Sequence, residues 1–378
     1  MVFPGRADKS SHKVRSIAVM GIKGLPSKGG GERVAEAIIN KALNENFQVY
    51  VYGKKSYCEN FIGSNNLKLI LIRDFKGKHL SAFSFGLFSA FHALLFGNYD
   101  LIHLHYADFG YIVPFLRIRY KIIGTSHGAE YNRDKWGKFA KFCFRLFEIP
   151  FVKFTNICTS VSKPLAEYYR NKYKKNILYI PNGINFNDTQ KIGKEACRKY
   201  KLPINEYILF CAGRIIPSKG CDLLLKANKK LSLKIPLVII GSTEDNFSYK
   251  NYLEKLATSN VVFIDFIKSK QELLEIISNC KFFIFPSTYE AMSMMLLEVA
   301  SLKKGIVCSD IPENFEAVGK NAIFFKSGDV NSLAIKIQFA LYNENEIDKI
   351  GKKALNWIVR NRNWKQITQS YINIYKSF

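Results

Sequence analysis

Residues 282–300 read FFIFPSTYEAMSMMLLEVA: a short apolar run, a polar turn and a second apolar run. The first run is typical of a buried strand, and the second predicts a helix that begins near Ser293. Glu298 has almost only apolar neighbours in that helix, where a carboxylate is costly unless hydrogen-bond donors satisfy it. An arginine, solvent, or the two hydroxyls of a ribose-like diol would each satisfy it. The free backbone amides at the helix start suit a phosphate.

A second segment of this kind, AGRIIPSKG, covers residues 212–220. Arg214 and Lys219 follow a predicted strand at 207–212, and ligands of open parallel sheets bind beyond the carboxyl ends of the strands. The sequence contains no Asp-x-Asp pair to hold a divalent ion. We therefore expect two fixed cations, and no metal, to stabilise a departing diphosphate. The competing interpretation is a solvated basic turn.

Strand-like and helix-like segments alternate along the whole chain, which indicates parallel sheets covered by helices. We predict an α/β protein with two doubly wound domains that face each other across a cleft. A Pro-Asn-Gly turn at 181–183 precedes the link between them, and a helical segment is predicted over 346–376. The predicted strands are 16–20, 48–52, 67–72, 101–105, 122–125, 157–161 and 177–180, then 207–212, 236–240, 261–265, 282–285, 305–308 and 322–325.

The chain has 378 residues and a formal net charge of +25, of which residues 1–190 carry +15. This surplus predicts an anionic partner: nucleic acid, anionic lipid or phosphorylated ligands.

The eight cysteines form no CxxC pair and are interpreted as reduced, mostly buried thiols. His103 and His105 are the one close pair of histidines, and two ligands without a third make only a weak case for a metal site. No apolar run reaches the ~20 residues of a spanning helix and no secretory signal is visible, so we expect a cytoplasmic protein.

Short motifs follow one another in a set order: GGGER (29–33), SHG (126–128), PNGI (181–184), GRIIPSKG (213–220), Glu290 with Glu298, SDIPENFEAVG (309–319), and Trp364 with Tyr371. With these motifs, residues 16–376 resemble the family 4 glycosyltransferases of the GT-B fold. Residues 125–139 are also similar to a bacterial polysaccharide subgroup that includes rhamnosyltransferases. The resemblance implies a Rossmann-like acceptor-side domain over 1–188, a Rossmann-like nucleotide-sugar-binding domain over 189–360, and a helix over 361–378 that packs back on the first domain.

The same resemblance implies an enzyme that retains anomeric configuration and needs no metal or cofactor. It would move a hexosyl or deoxyhexosyl group from a nucleotide-sugar donor to a lipid-linked or saccharide acceptor, in cell-surface glycan synthesis. The alternative is a catalytically weak nucleotide-sugar binding protein, or a nucleotide-sugar epimerase, on the same fold.

The family pattern assigns roles to individual positions. Arg214 and Lys219 would contact the donor diphosphate, Glu298 the ribose, and Glu290 the donor sugar. His127 would approach that sugar from the first domain, and it completes the implied catalytic set with Arg214, Lys219 and Glu290. The implied donor-binding set also contains Gly29, Gly30, Gly213, Gly241, Met292, Ser293, Met294 and Glu298.

The chain departs from the family pattern beside Glu290. The family commonly has glycines where this chain has Ala291 and Ser293, and proline where it has Met295. If those backbone positions need a positive φ, alanine and serine carry a steric cost.

A basic, aromatic-rich segment follows the SHG motif. Lys135, Lys138, Lys141 and Arg145 recur at helical spacing, with Trp136 and several phenylalanines between them. Such an amphipathic helix fits an anionic surface, here the inner face of the cell membrane. The competing interpretation is a core-packed helix whose cations are merely solvated. No nucleic-acid-binding motif is present, so we expect lipid and not nucleic acid as the anionic partner.

Overall fold

The computed structural model describes residues 15–27, 29–58, 63–75, 77, 80–132, 136–186, 192–243 and 247–378. Two parallel β-sheets, of seven and six strands, organise this part of the chain. Each sheet has an apolar core on both of its faces, where helices cover it. The expected α/β architecture with two doubly wound domains is confirmed.

The first sheet is built from β1 (Ser16–Met20), β2 (Gln48–Lys54), β3 (Leu67–Ile72), β4 (Leu101–His105), β5 (Lys121–Ser126), β6 (Ile157–Ser160) and β7 (Ile177–Tyr179). Its helices are α1 (Gly30–Asn44), α2 (Leu80–Phe96), α3 (Val113–Leu116), α4 (Lys138–Phe154) and α5 (Lys163–Tyr173). The spatial order is β3-β2-β1-β4-β5-β6-β7. The order therefore reverses between β1 and β4, which opens a crevice at their carboxyl ends.

The second sheet is built from β8 (Ile208–Arg214), β9 (Leu237–Ser242), β10 (Val261–Ile264), β11 (Phe282–Phe285), β12 (Ile306–Ser309) and β13 (Ile323–Phe325), in the order β10-β9-β8-β11-β12-β13. The remaining helices are α6 (Glu195–Lys199), α7 (Cys221–Leu231), α8 (Phe247–Leu256), α9 (Lys270–Ser278), α10 (Met294–Ser301), α11 (Pro312–Val318), α12 (Val330–Tyr342), α13 (Glu344–Asn361) and α14 (Trp364–Lys376). Every predicted strand is present, and its ends lie within two residues of the prediction.

The single helical segment predicted over 346–376 is wrong, because the chain forms two helices there, α13 and α14. Between them the Arg362 carbonyl accepts a hydrogen bond from the Ile184 N–H at 2.8 Å. The Asn363 side chain then caps α14 by accepting from the Lys365 N–H at 2.9 Å. A contact with the segment after β7 therefore interrupts the helix, and nothing in the local periodicity reports it.

Helix α14 packs on the first domain. Tyr375 Oη lies 2.6 Å from Nδ1 of His103 on β4, and the tyrosine ring meets Phe47 edge-on. The Arg15 guanidinium donates to the Tyr375 carbonyl at 2.9 Å. Three further α14 residues share a core with β1: Ile367, Tyr371 and Ile372. The last helix of the chain thus completes the core of the first domain.

One buried carboxylate fixes the orientation of α4. Glu148 is 1% exposed and accepts hydrogen bonds from Tyr131 Oη at 2.7 Å and Tyr173 Oη at 2.6 Å. The Lys172 ammonium lies 3.0 Å from the same carboxylate. Because Lys172 and Tyr173 belong to α5, this cluster ties α4 to α5 and decides which side of α4 meets solvent. The exposed apolar residues of α4 are Phe139, Phe142, Leu146, Ile149 and Phe154.

We expect Glu148→Leu to lower the free energy of unfolding, by about 1–3 kcal/mol for each buried donor left without an acceptor. Urea unfolding followed by circular dichroism measures the change. The matched control is Glu254→Leu on α8, where the carboxylate is 53% exposed and little change is expected. If the two variants unfold at the same urea concentration, the cluster does not anchor α4.

Candidate active site

The candidate active site lies where the carboxyl ends of β8 and β11 meet. The pairing of these strands places turn 215–220 beside turn 286–293, and the Thr288 N–H donates to the Ser218 carbonyl at 2.9 Å. Gly220 has a φ of +69°, and a Cβ there would lie 2.1 Å from the Pro286 carbonyl oxygen. Only glycine fits this approach. The turn of the GRIIPSKG motif is therefore fixed by direct packing against the turn after β11.

Lys219 and Glu290 form an ion pair between the two turns. The lysine side chain is 24% exposed and the glutamate side chain 9%, so both groups lie at the edge of solvent. The Lys219 ammonium also lies 5.8 Å from the centre of the Phe285 ring, within range of a cation–π attraction. Arg214 is exposed at the end of β8. The structure thus brings Lys219 and Glu290 together at the carboxyl edge of the second sheet.

Helix α10 begins at Met294 with Ser293 as its N-cap, as the sequence predicts. Ser293 Oγ accepts from the Leu296 N–H at 3.4 Å, and the first backbone amides of the helix have no partner within it. Ser293 has a φ of −82°, and Ala291 is not among the non-glycine residues with positive φ in the described chain. Alanine and serine in place of the family glycines therefore cause no backbone strain.

Glu298 pairs with an arginine from the opposite domain. Its carboxylate is 3% exposed in α10, and Arg33 Nη1 of α1 lies 2.9 Å from Oε1. Of the partners considered for this carboxylate, the structure shows the arginine. Arg33 is the last residue of the GGGER motif, so the ion pair spans the cleft between the domains. A ribose contact of Glu298 stays a prediction.

His127 follows β5 and is 7% exposed. Its Nε2 lies 2.8 Å from Nδ1 of His105, and the two rings are stacked with an interplanar angle of 14°. Burial lowers the pKa of His127 to about 3, so the imidazole is neutral near pH 7. A neutral imidazole can hydrogen-bond a sugar hydroxyl, but it cannot attract a diphosphate by charge.

The His127 loop contacts the turn that carries Glu290. Tyr289 Oη donates to the Ala129 carbonyl at 3.0 Å and accepts the Ala129 N–H at 3.2 Å. Gly128 has a φ of +127°, and a Cβ on it would lie 2.9 Å from the Ala291 Cβ. The sequence prediction did not include Tyr289. The signal that could have found it is a hydroxyl beside Glu290 in a strand-to-helix turn.

The glycine-rich loop of the first domain approaches the start of α10. A Cβ on Gly30 would lie 3.9 Å from Met294 Cγ, and Gly29 is the extended N-cap of α1. Met292 is 6% exposed, and its sulfur accepts the Asn182 N–H at 3.2 Å. These predicted donor-site residues therefore lie along the boundary between the domains.

The two other predicted glycines follow the strands of the second sheet. Gly241 near the end of β9 has a φ of +150°, and a Cβ there would lie 2.0 Å from the Ala212 carbonyl oxygen. Gly213 on β8 is exposed, and the nearest atom to a Cβ there is on Phe266, at 4.0 Å. Gly241 is thus required by the packing of β9 on β8, while Gly213 leaves open space in front of the sheet edge.

Within the described ranges, no group of three or more His, Cys, Asp or Glu side chains is placed to hold a metal ion. The predicted pair His103 and His105 shares one face of β4, with ring centres 4.2 Å apart and both rings fully buried. All eight cysteines are free thiols, and Cys143 is the only one of them that is not fully buried.

Two family models match the chain, one in each half. The model described as Glycosyltransferase Family 4 matches residues 28–188, and the model described as Glycosyl transferases group 1 matches residues 194–357. The chain is 24% identical to the uncharacterized glycosyltransferase MJ1069 of Methanocaldococcus jannaschii, over 93% of this chain and 96% of that protein. It is 25% identical to the O-antigen biosynthesis glycosyltransferase WclY of Escherichia coli, over 60% of this chain and 64% of that protein.

The fold is shared with solved structures of low sequence identity. Sucrose-phosphate synthase of Thermosynechococcus elongatus superposes with a TM-score of 0.82 at 19% identity, over 96% of this chain and 98% of that one. HepE of Anabaena, solved with UDP and glucose, superposes with a TM-score of 0.78 at 14% identity, over 97% of this chain and 100% of that one. The two facing sheets and these structures show the GT-B fold, and the two family models, which together match most of the chain, show that it belongs to the family 4 glycosyltransferases.

Proposed function

We propose that this protein is a retaining, metal-independent hexosyl- or deoxyhexosyltransferase of cell-surface glycan synthesis. It would use a nucleotide-sugar donor and a lipid-linked or saccharide acceptor. The observation that carries the proposal is the meeting of Lys219, Glu290 and the start of α10 at one sheet edge, beside the His127 loop.

Similar proteins support both substrate classes. HepE of Anabaena was solved in complex with UDP-glucose, which supports a nucleotide-sugar donor. The matched transferase of Campylobacter jejuni, 25% identical over 61% of this chain and 62% of its own length, acts by its name on a diphospho-undecaprenol. That name supports a lipid-linked acceptor here.

Each group at the sheet edge has a distinct task in this proposal. The first amides of α10 and the cations of Lys219 and Arg214 bind the donor diphosphate. Glu290 accepts hydrogen bonds from hydroxyls of the donor sugar, while Glu298 accepts those of the ribose. His127 contacts the sugar from the first domain as a neutral hydrogen-bonding group. The ion pair between Lys219 and Glu290 then fixes the distance between the residue that binds the diphosphate and the residue that binds the donor sugar.

The proposed chemical step needs no covalent bond between sugar and protein. The acceptor oxygen forms its bond to the anomeric carbon on the face from which the diphosphate departs. The bond from that carbon to the phosphate oxygen breaks, and the acceptor proton passes to the departing phosphate. The protein contributes orientation and stabilisation of the charge that develops on the leaving group.

We expect Arg214→Ala and Lys219→Ala each to lower kcat by ~10²–10³, because each removes a cation beside the leaving diphosphate. Radiolabelled sugar transfer from a nucleotide-sugar panel into a lipid extract measures the rate. The matched control is Lys281→Ala, which removes a lysine that is also paired with a glutamate, at the opposite end of β11.

We expect the transferase activity to survive EDTA, because the proposed site uses cations of the protein and no metal ion. Loss of activity with the chelator and its recovery with magnesium or manganese would show a metal-dependent enzyme.

Glu298→Gln should weaken binding of a free nucleoside diphosphate by ~1–3 kcal/mol, because it removes a charged acceptor for the ribose hydroxyls. Calorimetry with UDP, GDP, ADP and dTDP measures it. The ion pair with Arg33 requires a second variant, Arg33→Gln, which breaks the pair and keeps the carboxylate. We expect Arg33→Gln to bind within about threefold of wild type, since the charged acceptor is intact. An equal loss in both variants would mean that Glu298 acts through the ion pair and not through ribose.

We also propose that the first domain binds an anionic membrane surface. No helix in the described ranges is long and apolar enough to cross a bilayer. Helix α2 contains no Asp, Glu, Lys or Arg, yet Phe91 is 61% exposed, Leu95 69% and Phe96 75%. Large apolar side chains exposed together on one helix indicate an interaction face.

The apolar surface continues from α2 to α4. The Tyr111 ring joins the two helices, with centroid distances of 4.8 Å to Phe83 on α2 and 4.7 Å to Phe147 on α4. What we call the lipid face consists of the exposed apolar residues of α2 and α4, with one residue of α3 and one just after it: Leu80, Phe83, Phe88, Phe91, Leu95, Phe96, Phe115, Ile118, Phe139, Phe142, Leu146, Ile149 and Phe154. An apolar face flanked by cations is the composition of a segment lying in a membrane interface.

The structure changes which residues of α4 are expected to meet the lipid. Lys135 lies outside the described residues, Lys141 is half-buried, and the Arg145 guanidinium lies 5.3 Å from the centre of the Tyr131 ring. Phe139 and Phe142 are the most exposed apolar residues of α4, at 80% and 58%. Lys138 and Arg145 are exposed beside them. The cations therefore flank an apolar surface, and the stripe of four cations stays a prediction.

We expect Phe91→Gln/Leu95→Gln/Phe96→Gln to abolish cosedimentation with phosphatidylglycerol-containing vesicles at both low and high salt. The variant Lys138→Gln/Lys141→Gln/Arg145→Gln should lose binding at low salt, because each cation contributes ~1 kcal/mol near such a surface. The wild type should bind less at high salt, since the Debye length falls from ~10 Å at 0.1 M to ~3 Å at 1 M.

The matched control for the membrane test lies on α12 of the second domain. Ile335→Gln/Phe339→Gln/Tyr342→Gln removes three residues exposed by 63%, 43% and 79% and should leave vesicle binding unchanged. If the α2 variant sediments like wild type, the lipid face does not bind lipid. A dimer in solution that the α2 variant abolishes would assign this face to a second copy of the chain.

A further inference from the structure

His105 is fully buried, and within the described ranges its side chain makes one hydrogen bond. It is the last residue of β4, and its Nδ1 lies 2.8 Å from Nε2 of His127. Its own Nε2 has no hydrogen-bond partner among the described residues. Buried side-chain nitrogens are normally paired, so an unpaired one calls for an explanation.

His103, two residues earlier on the same face of β4, shows what a structural histidine looks like in this strand. Its Nδ1 lies 2.6 Å from Tyr375 Oη, and its Nε2 lies 2.7 Å from Thr125 Oγ1. Both nitrogens are paired, and the first contact ties α14 to the sheet. By contrast, the one side-chain hydrogen bond that His105 makes in the described part of the chain reaches the His127 loop.

Stability does not account for a histidine at position 105. Burial lowers the pKa of His105 and of His127, so both rings are neutral and no charge attraction is gained. A buried polar group that is only half paired is less favourable than an apolar side chain of similar size. The ring must therefore contribute something that an apolar side chain in β4 could not.

We propose that His105 is a positioning residue that sets the orientation of the His127 ring for contact with the donor sugar. This inference rests on the proposed role of His127. The last torsion of a histidine is broad and roughly two-fold, so packing alone allows ring flips that exchange nitrogen and carbon positions. The rings of Tyr106 and His105 both pack on His127, at 4.7 Å and 5.1 Å between centres. The hydrogen bond distinguishes the two flips, because it occupies Nε2 and leaves Nδ1 for a sugar hydroxyl.

The test compares His105→Leu with the matched variant His103→Leu. We expect His105→Leu to melt no lower than wild type and to lose about 10–100-fold in kcat, with an unchanged KM for the acceptor, because a misoriented contact costs rate. His103→Leu should have a lower melting temperature than wild type, because it leaves Tyr375 Oη without its partner. At assay temperatures below that melting temperature, its kcat should equal that of wild type. His105→Gln, whose amide can still reach His127, should regain part of the lost rate.

A second measurement does not depend on turnover. The side-chain nitrogen resonances of His127, assigned with His127→Gln in histidine-labelled protein, should move in His105→Leu and stay in place in His103→Leu. Any of three results would overturn the inference. These are His127 resonances that do not move in His105→Leu, a wild-type kcat in His105→Leu, and losses of kcat in both variants that follow their melting temperatures. A wild type that transfers no sugar from any donor would instead contradict the proposed function, while the resonance test would still decide the role of His105.

Discussion

The pairing of β8 with β11 is the constraint on which the candidate active site depends. Parallel strands that are neighbours in space end at the same edge of a sheet, however far apart they are in the chain. Lys219 and Glu290 are 71 residues apart and meet for this reason. The close approach of Gly220 to the Pro286 carbonyl leaves no room for a side chain between the two turns, and the position of α10 follows from the same packing.

The sequence predicted best what is decided locally. Strands buried on both faces are short apolar runs, so their positions could be predicted to within two residues. The start of α10 could be predicted from Ser293 because an N-cap acts on its own helix. The placement of Lys219 and Glu290 came partly from strand ends and partly from family resemblance, since strand order cannot be read from periodicity.

What the sequence did not predict are partners that lie far apart in the chain. Arg33 and Glu298 are 265 residues apart, and Tyr289 reaches a backbone group 160 residues away. The break between α13 and α14 depends on Ile184, which no local pattern at 346–376 could report. On α4, Lys138, Lys141 and Arg145 do recur at helical spacing, but the Glu148 cluster decides which face is outside, and that cluster draws on α5.

The position of α14 has a consequence for the order in which the protein can be made. The core beside β1 includes Ile367, Tyr371, Ile372 and Tyr375 of α14, although β1 leaves the ribosome long before α14 does. While the second domain is being synthesised, the first domain carries an uncovered apolar face, and His103 lacks the Tyr375 hydroxyl. Domains generally fold from the N-terminus as synthesis proceeds. Here the core beside β1 stays incomplete until α14 has been made, and a nascent chain that stalls before α14 leaves that apolar side of the sheet open to aggregation.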